Sequence, residues 1–84
     1  MSSSLQPSFA DAPELVLLVE HELARGVETA GAAISIVGRG ALIILFGRVK
    51  SEAVRVAAER ITRLVPGVLE VDNRLEVGEV GAPP

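Results

Sequence analysis

Eighty-four residues allow one small domain, and folding at that size buries only roughly 60% of the surface the unfolded chain exposes, so a second surface would add stability. Apolar residues make up 49% of the chain and aromatic ones 2%, so the core is aliphatic; the lack of cysteine excludes disulfide scaffolds and thiolate metal sites. A net charge of −3 speaks against nucleic acid as the partner.

Residues 1–10 are serine, proline and small side chains without a period, which reads as a disordered tail lacking the basic start of an export signal. The first apolar run, Leu15 to Val19, is far too short to span a bilayer. The expectation is a cytoplasmic protein, at most peripheral to a membrane. The domain itself is expected over residues 11–78.

Asp11-Ala12-Pro13-Glu14 gives a helix start, with Asp as N-cap and proline in the first turn, and Gly26 stops the helix after Arg25. Leu15, Val16, Val19 and Leu23 share one face at helical spacing, with Val27 just past the end. Leu17, Leu18, His21 and Arg25 fall on the other side, which leaves two leucines where water is expected.

Ala33 to Val37 alternates and predicts a strand with Ile34 and Ile36 inward. Gly38-Arg39-Gly40 offers the positive-φ positions of a tight hairpin. The stretch Ala41 to Gly47 then reads as a strand running to about Val49, and both of its faces are apolar. Ile43 and Leu45 point one way; Leu42, Ile44 and Phe46 point the other. Such a strand belongs in the middle of a sheet, with something against each side.

Ser51 is the next N-cap, and Glu52 complements the helix dipole. Val54, Ala57, Ala58, Ile61, Leu64 and Val65 form an apolar stripe opposite Arg55, Glu59 and Arg63, and Pro66-Gly67 ends the helix. The last strand runs from Val68 to Val77, with Leu69, Val71, Leu75 and Val77 inward and Glu70, Asp72, Arg74 and Glu76 outward. Residues 79–84 read as a flexible tail. A hairpin followed by a right-handed helical crossover gives an α+β domain of order α-β-β-α-β. Its three-stranded mixed sheet has the order 1-2-3, with both helices on one face.

Residues 15–77 laid out in this way resemble a BON domain (the bacterial OsmY and nodulation module). The matching pattern is Ile34-x-Ile36 before a glycine turn, then Ile43-x-Leu45-x-Gly47-x-Val49. Ser51, an alanine-rich helix, Val65-Pro66-Gly67-Val68 and Val71-x-Asn73-x-Leu75-x-Val77 follow. Gly47 and Gly67 correspond to the family's characteristic glycines. The resemblance implies a fold without catalytic residues, associated with phospholipid or membrane-surface binding. Ile44 and Phe46 occupy positions that are usually small or polar in such domains.

No constellation looks catalytic. His21 is the lone histidine, between Glu20 and Glu22 on a helix surface; the acidic pairs Glu20/Glu22 and Glu70/Asp72 read as solvated faces without a cleft. Gly38-Arg39-Gly40 precedes a strand rather than the helix that a phosphate loop requires. Neither a cofactor nor a metal is expected. Arg48, Lys50 and Arg55 lie in a net-positive middle segment and form the candidate lipid or anion patch.

The outward set Val37, Leu42, Ile44 and Phe46 is the candidate oligomer interface, since natural sheets rarely leave such a row uncovered. Glu70, Asp72 and Glu76 are expected to meet Arg74 or Arg48 across the rim of that interface. The resulting expectation is a non-enzymatic interaction module that self-associates as a homo-oligomer and contacts a phospholipid surface or a partner protein. A ring- or filament-building domain is the alternative, followed by a small-ligand or ion-binding accessory domain.

Overall fold

The computed structural model describes residues 13–78, and the two tails expected at the ends, with the Asp11 cap, lie outside them. The elements follow in the order α1 (Pro13–Arg25), β1 (Ile34–Arg39), β2 (Leu42–Val49), α2 (Glu52–Arg63) and β3 (Glu70–Val77). The sheet has the order β1-β2-β3. β1 runs antiparallel to β2, and β2 runs parallel to β3. This is the α+β architecture that the pattern of elements predicts.

Both helices cover one face. Leu15, Val19 and Leu23 of α1 meet Ile43, Leu45 and Val49 of β2, Val54 and Ala58 of α2, and Val71 and Leu75 of β3 in a single aliphatic core. Small side chains let the layers close, since Ala57 and Ala58 of α2 are buried. Ser51 caps α2, its Oγ accepting from the backbone N–H of Val54 at 3.3 Å. Thr29, buried in the α1–β1 loop, donates its hydroxyl to the carbonyl of Leu23 and so closes the end of α1.

Four apolar residues expected inward point to water instead. Val27 is 95% exposed, because the chain has left the helix before reaching it. At the end of α2, Leu64 donates to Ile61 and Val65 to Thr62, the three-residue spacing of a tightened turn. That rotation carries Val65 into the core and leaves Leu64 outside. Leu69 precedes β3, where both its N–H and that of Glu70 donate to the Ala41 carbonyl, and it is exposed. Val77 has the inward parity but lies at the far end of β3 and is also exposed.

The glycines divide the work differently from the sequence expectation. The hairpin is a two-residue connection, Gly40-Ala41, and of the three residues Gly38-Arg39-Gly40 only Gly40 has positive φ (62°). Gly38 belongs to β1 and marks the close approach to α1: a Cβ there would sit 2.8 Å from Val16 Cγ2. Gly47 has φ 128°, and a Cβ would lie 2.5 Å from the carbonyl oxygen of Ala33. Its neighbour is thus the backbone entering β1 rather than a helix. Gly67 also has positive φ and faces Leu15.

Candidate interaction surface

The strand registers define the uncovered face of the sheet row by row. Arg39 pairs with Leu42, which pairs with Glu70; Val37 with Ile44 and Asp72; Ser35 with Phe46 and Arg74; and Arg48 with Glu76 at the bottom. Residues directly opposite on neighbouring strands share a face. The face is therefore an apolar column on β2, extended by Val37, between charged or polar edges. Leu42, Ile44 and Phe46 are half-buried by these neighbours and Val37 is 42% exposed. Among the described residues no third layer covers them.

The charges on this face are mostly committed within the chain. Arg74 Nε donates to Asp72 Oδ2 at 2.9 Å, and Arg48 Nη2 donates to Glu76 Oε1 at 3.5 Å. Within the single chain Asp72 and Arg74 thus satisfy one another along β3, and Arg48 and Glu76 across β2–β3. Arg39 and Glu70, on opposite sides of Leu42, have no ion pair among the described residues.

The candidate anion patch is dispersed. Arg48 lies on the uncovered face beside Glu76, whereas Arg55 Nε donates to Glu52 on α2 at 3.2 Å. Lys50 is exposed and unpaired among the described residues. Arg48 and Lys50 do share the wall of an open cleft of about 440 Å³ between the α1–β1 loop, the end of β2 and the start of α2. Its other walls include Val27, Glu28 and Ala30 to Ala33. Arg55 does not line it. A second groove, between the helices, is lined by Leu18, Ile61, Leu64, Val65 and Pro66 with Glu22 at its edge. His21 is exposed on α1, and no three acidic or histidine side chains come together as a metal site among the described residues.

Asn73 escaped the sequence reading except as part of a spacing pattern. It takes an inward position on β3 and ties the sheet to α2. Its Nδ2 donates to the Arg55 carbonyl at 3.0 Å and to Glu59 Oε1 at 3.2 Å, while Oδ1 accepts from the Leu75 N–H at 3.1 Å. The Glu59 carboxyl is held below the usual carboxylate range, first by its hydrogen bond from Arg63 and then by that from Asn73. A polar residue in an otherwise apolar alternation was the available signal. This linkage fixes the tilt of α2 over β3 and is structural in character.

The family model of the BON domain matches residues 12–79, which takes in every element described above. The chain belongs to the BON domain family. Among curated proteins it has no match. BON domains are small interaction modules and generally non-catalytic. In this BON domain no helix among the described residues is long and apolar enough to cross a membrane.

Proposed function

We propose that this BON domain is an oligomerisation module that binds a second copy of itself through the uncovered sheet face. The observation that carries the reading is the column Leu42, Ile44 and Phe46, with Val37 beside it, on the side of the sheet that neither helix covers. Full burial of such a side chain is worth roughly 1.5–3 kcal/mol, and these are only half-buried in the single chain. Two sheets stacked face to face lie about 10 Å apart, close enough for the two columns to interdigitate. Three strands make a face about 15 Å wide, so the interface is at the low end of area for a specific complex.

Light scattering across a concentration series tests this. The expected result is a mass that rises to that of a dimer or larger assembly at tens of micromolar and falls to the monomer in Ile44→Glu and Phe46→Glu. Leu64→Glu, in the groove between the helices, leaves the assembly intact. A monomer throughout the series overturns the reading, as does an assembly that Leu64→Glu dissolves and Phe46→Glu does not.

A phospholipid surface is the second reading, favoured by Lys50, which is exposed beside the cleft and has no ion pair among the described residues. Arg48 and Arg55 add less, since Glu76 and Glu52 offset them. Contact with anionic lipid would be peripheral and worth roughly 1 kcal/mol per cationic side chain near the surface. Co-sedimentation with acidic vesicles that is strong at low salt and lost in Lys50→Glu supports it; no co-sedimentation at low salt removes it.

A further inference from the structure

The self-association reading leaves open how the two copies are oriented, and two charges on the sheet that have no ion pair among the described residues answer that. We infer that the dimer has its two-fold axis parallel to the strands, with Arg39 of each copy paired to Glu70 of the other. The inference rests on the proposed use of the uncovered face and adds the partner's orientation to it.

Six charged side chains stand on that face: Arg39, Arg48, Glu70, Asp72, Arg74 and Glu76. Four are consumed by the Arg74–Asp72 and Arg48–Glu76 pairs. The remaining two have opposite signs, share one row and flank Leu42 from the two edge strands. Both are exposed. Two strand spacings, about 10 Å, separate their backbones within the chain.

A rotation about an axis along β2 keeps every residue at its own height and exchanges β1 with β3. Arg39 of one copy then lies over Glu70 of the other, and the reciprocal pair forms on the opposite edge. Leu42, Ile44, Phe46 and Arg48 meet their own counterparts on the axis, each Arg48 still offset by its own Glu76, and Val37 packs over the rim beside Asp72. The interface is isologous, as closed dimers are. An in-plane axis across the strands, centred on the Ile44 row, gives a worse match. It lays β3 on β3, sets Asp72 against its own copy, brings Glu70 to an Arg74 that Asp72 already holds, and leaves Arg39 opposite Ser35 with no carboxylate. Each axis opposes one internally paired charge to its own copy, Arg48 or Asp72, so the difference lies in Arg39, which the axis along the strands gives a carboxylate and the crosswise axis does not.

Charge reversal on the full chain tests the orientation. Arg39→Glu alone turns two attractive contacts into two repulsive ones, and Glu70→Arg does the same. Each is expected to weaken dimerisation at least about ten-fold. Mixing the two variants forms a heterodimer in which each variant's residue 39 faces the opposite charge at residue 70. The mixture, and the double variant Arg39→Glu/Glu70→Arg, are expected to recover wild-type affinity to within about three-fold. Wild-type dimerisation should also weaken as salt is raised, because both pairs lie at the rim. Both positions are exposed in the single chain, so circular dichroism of each variant is expected to match wild type.

A dimer that Phe46→Glu dissolves but neither reversal alters overturns the orientation and leaves the self-association reading standing. Weakening by both reversals without recovery on mixing overturns it as well. A wild-type chain that stays monomeric removes both.

Discussion

Replacing Gly47 with alanine is the sharpest test of how this fold closes. The backbone there has φ 128°, in a region that residues with a Cβ occupy at a cost of order 1–3 kcal/mol. Sterics add to this, because the new Cβ would sit 2.5 Å from the Ala33 carbonyl oxygen and 3.6 Å from Ile34 Cα. That neighbour is backbone and cannot rotate aside. Relief requires β1 to shift away from β2 at its first pair, Ile34 with Gly47. Together the two effects come to about 2–4 kcal/mol, a large part of the stability of a small domain. At about 4–8 °C per kcal/mol for this size, the melting temperature falls by roughly 10–25 °C. Gly40→Ala is the internal comparison: φ is 62°, nothing lies within 4 Å of its Cβ, and only the left-handed backbone term applies. That substitution should lose about 1 kcal/mol, or roughly 4–8 °C. Calorimetry or thermal circular dichroism reads both. A Gly47→Ala domain that melts no lower than Gly40→Ala would refute the close-approach argument, and Gly47→Val should then be tolerated too.

Two further outcomes follow from the link between β3 and α2. Asn73→Ala removes two hydrogen bonds to the Arg55 carbonyl and Glu59 and one from the Leu75 N–H, and should destabilise the fold by about 1–3 kcal/mol in chemical denaturation. Asn73→Asp should be worse at neutral pH, where a second carboxylate faces Glu59, and should recover partly in acid; equal losses for the two variants would contradict that geometry. The Glu59 carboxyl is depressed by Arg63 first and Asn73 second, so the folded state binds its proton less readily than the unfolded one. Its contribution is present above the ordinary glutamate range, about 4.5, and declines as pH falls through and below that range. Denaturation midpoints measured from pH 7 to pH 3 should therefore show a shallower acid decline in Glu59→Gln than in wild type, and parallel curves would count against the assignment.

Element type and topology were legible in the sequence because they rest on short-range rules. Ser51 with Glu52 marked the start of α2, Pro66-Gly67 marked its stop, and an alternating segment followed by a glycine-bounded apolar run marked the hairpin strands. Gly47 was recognisable as special from the family spacing, and the apolar double face of β2 placed that strand in the centre of the sheet. What escaped depended on partners distant in sequence or on small rotations at element ends. A tightened last turn decided that Val65 rather than Leu64 enters the core. Strand β3 began two residues later than its alternation suggested, which left Leu69 outside. The role of Asn73 required a helix to be laid over its strand before its amide had anything to bond.

The charged rim shows the same division. Sequence parity put Glu70, Asp72, Arg74 and Glu76 on the outward face with Arg48 at its rim, but parity carries no register, and Arg39 was read as part of the turn. Only the pairing of β2 with β3 set Arg48 beside Glu76, and only side-chain geometry joined Arg74 to Asp72. The sequence by itself determined which residues could be outward, because a strand alternates with period two. The tertiary structure decided which of those charges pair with one another, because that depends on which strands lie side by side and at what height.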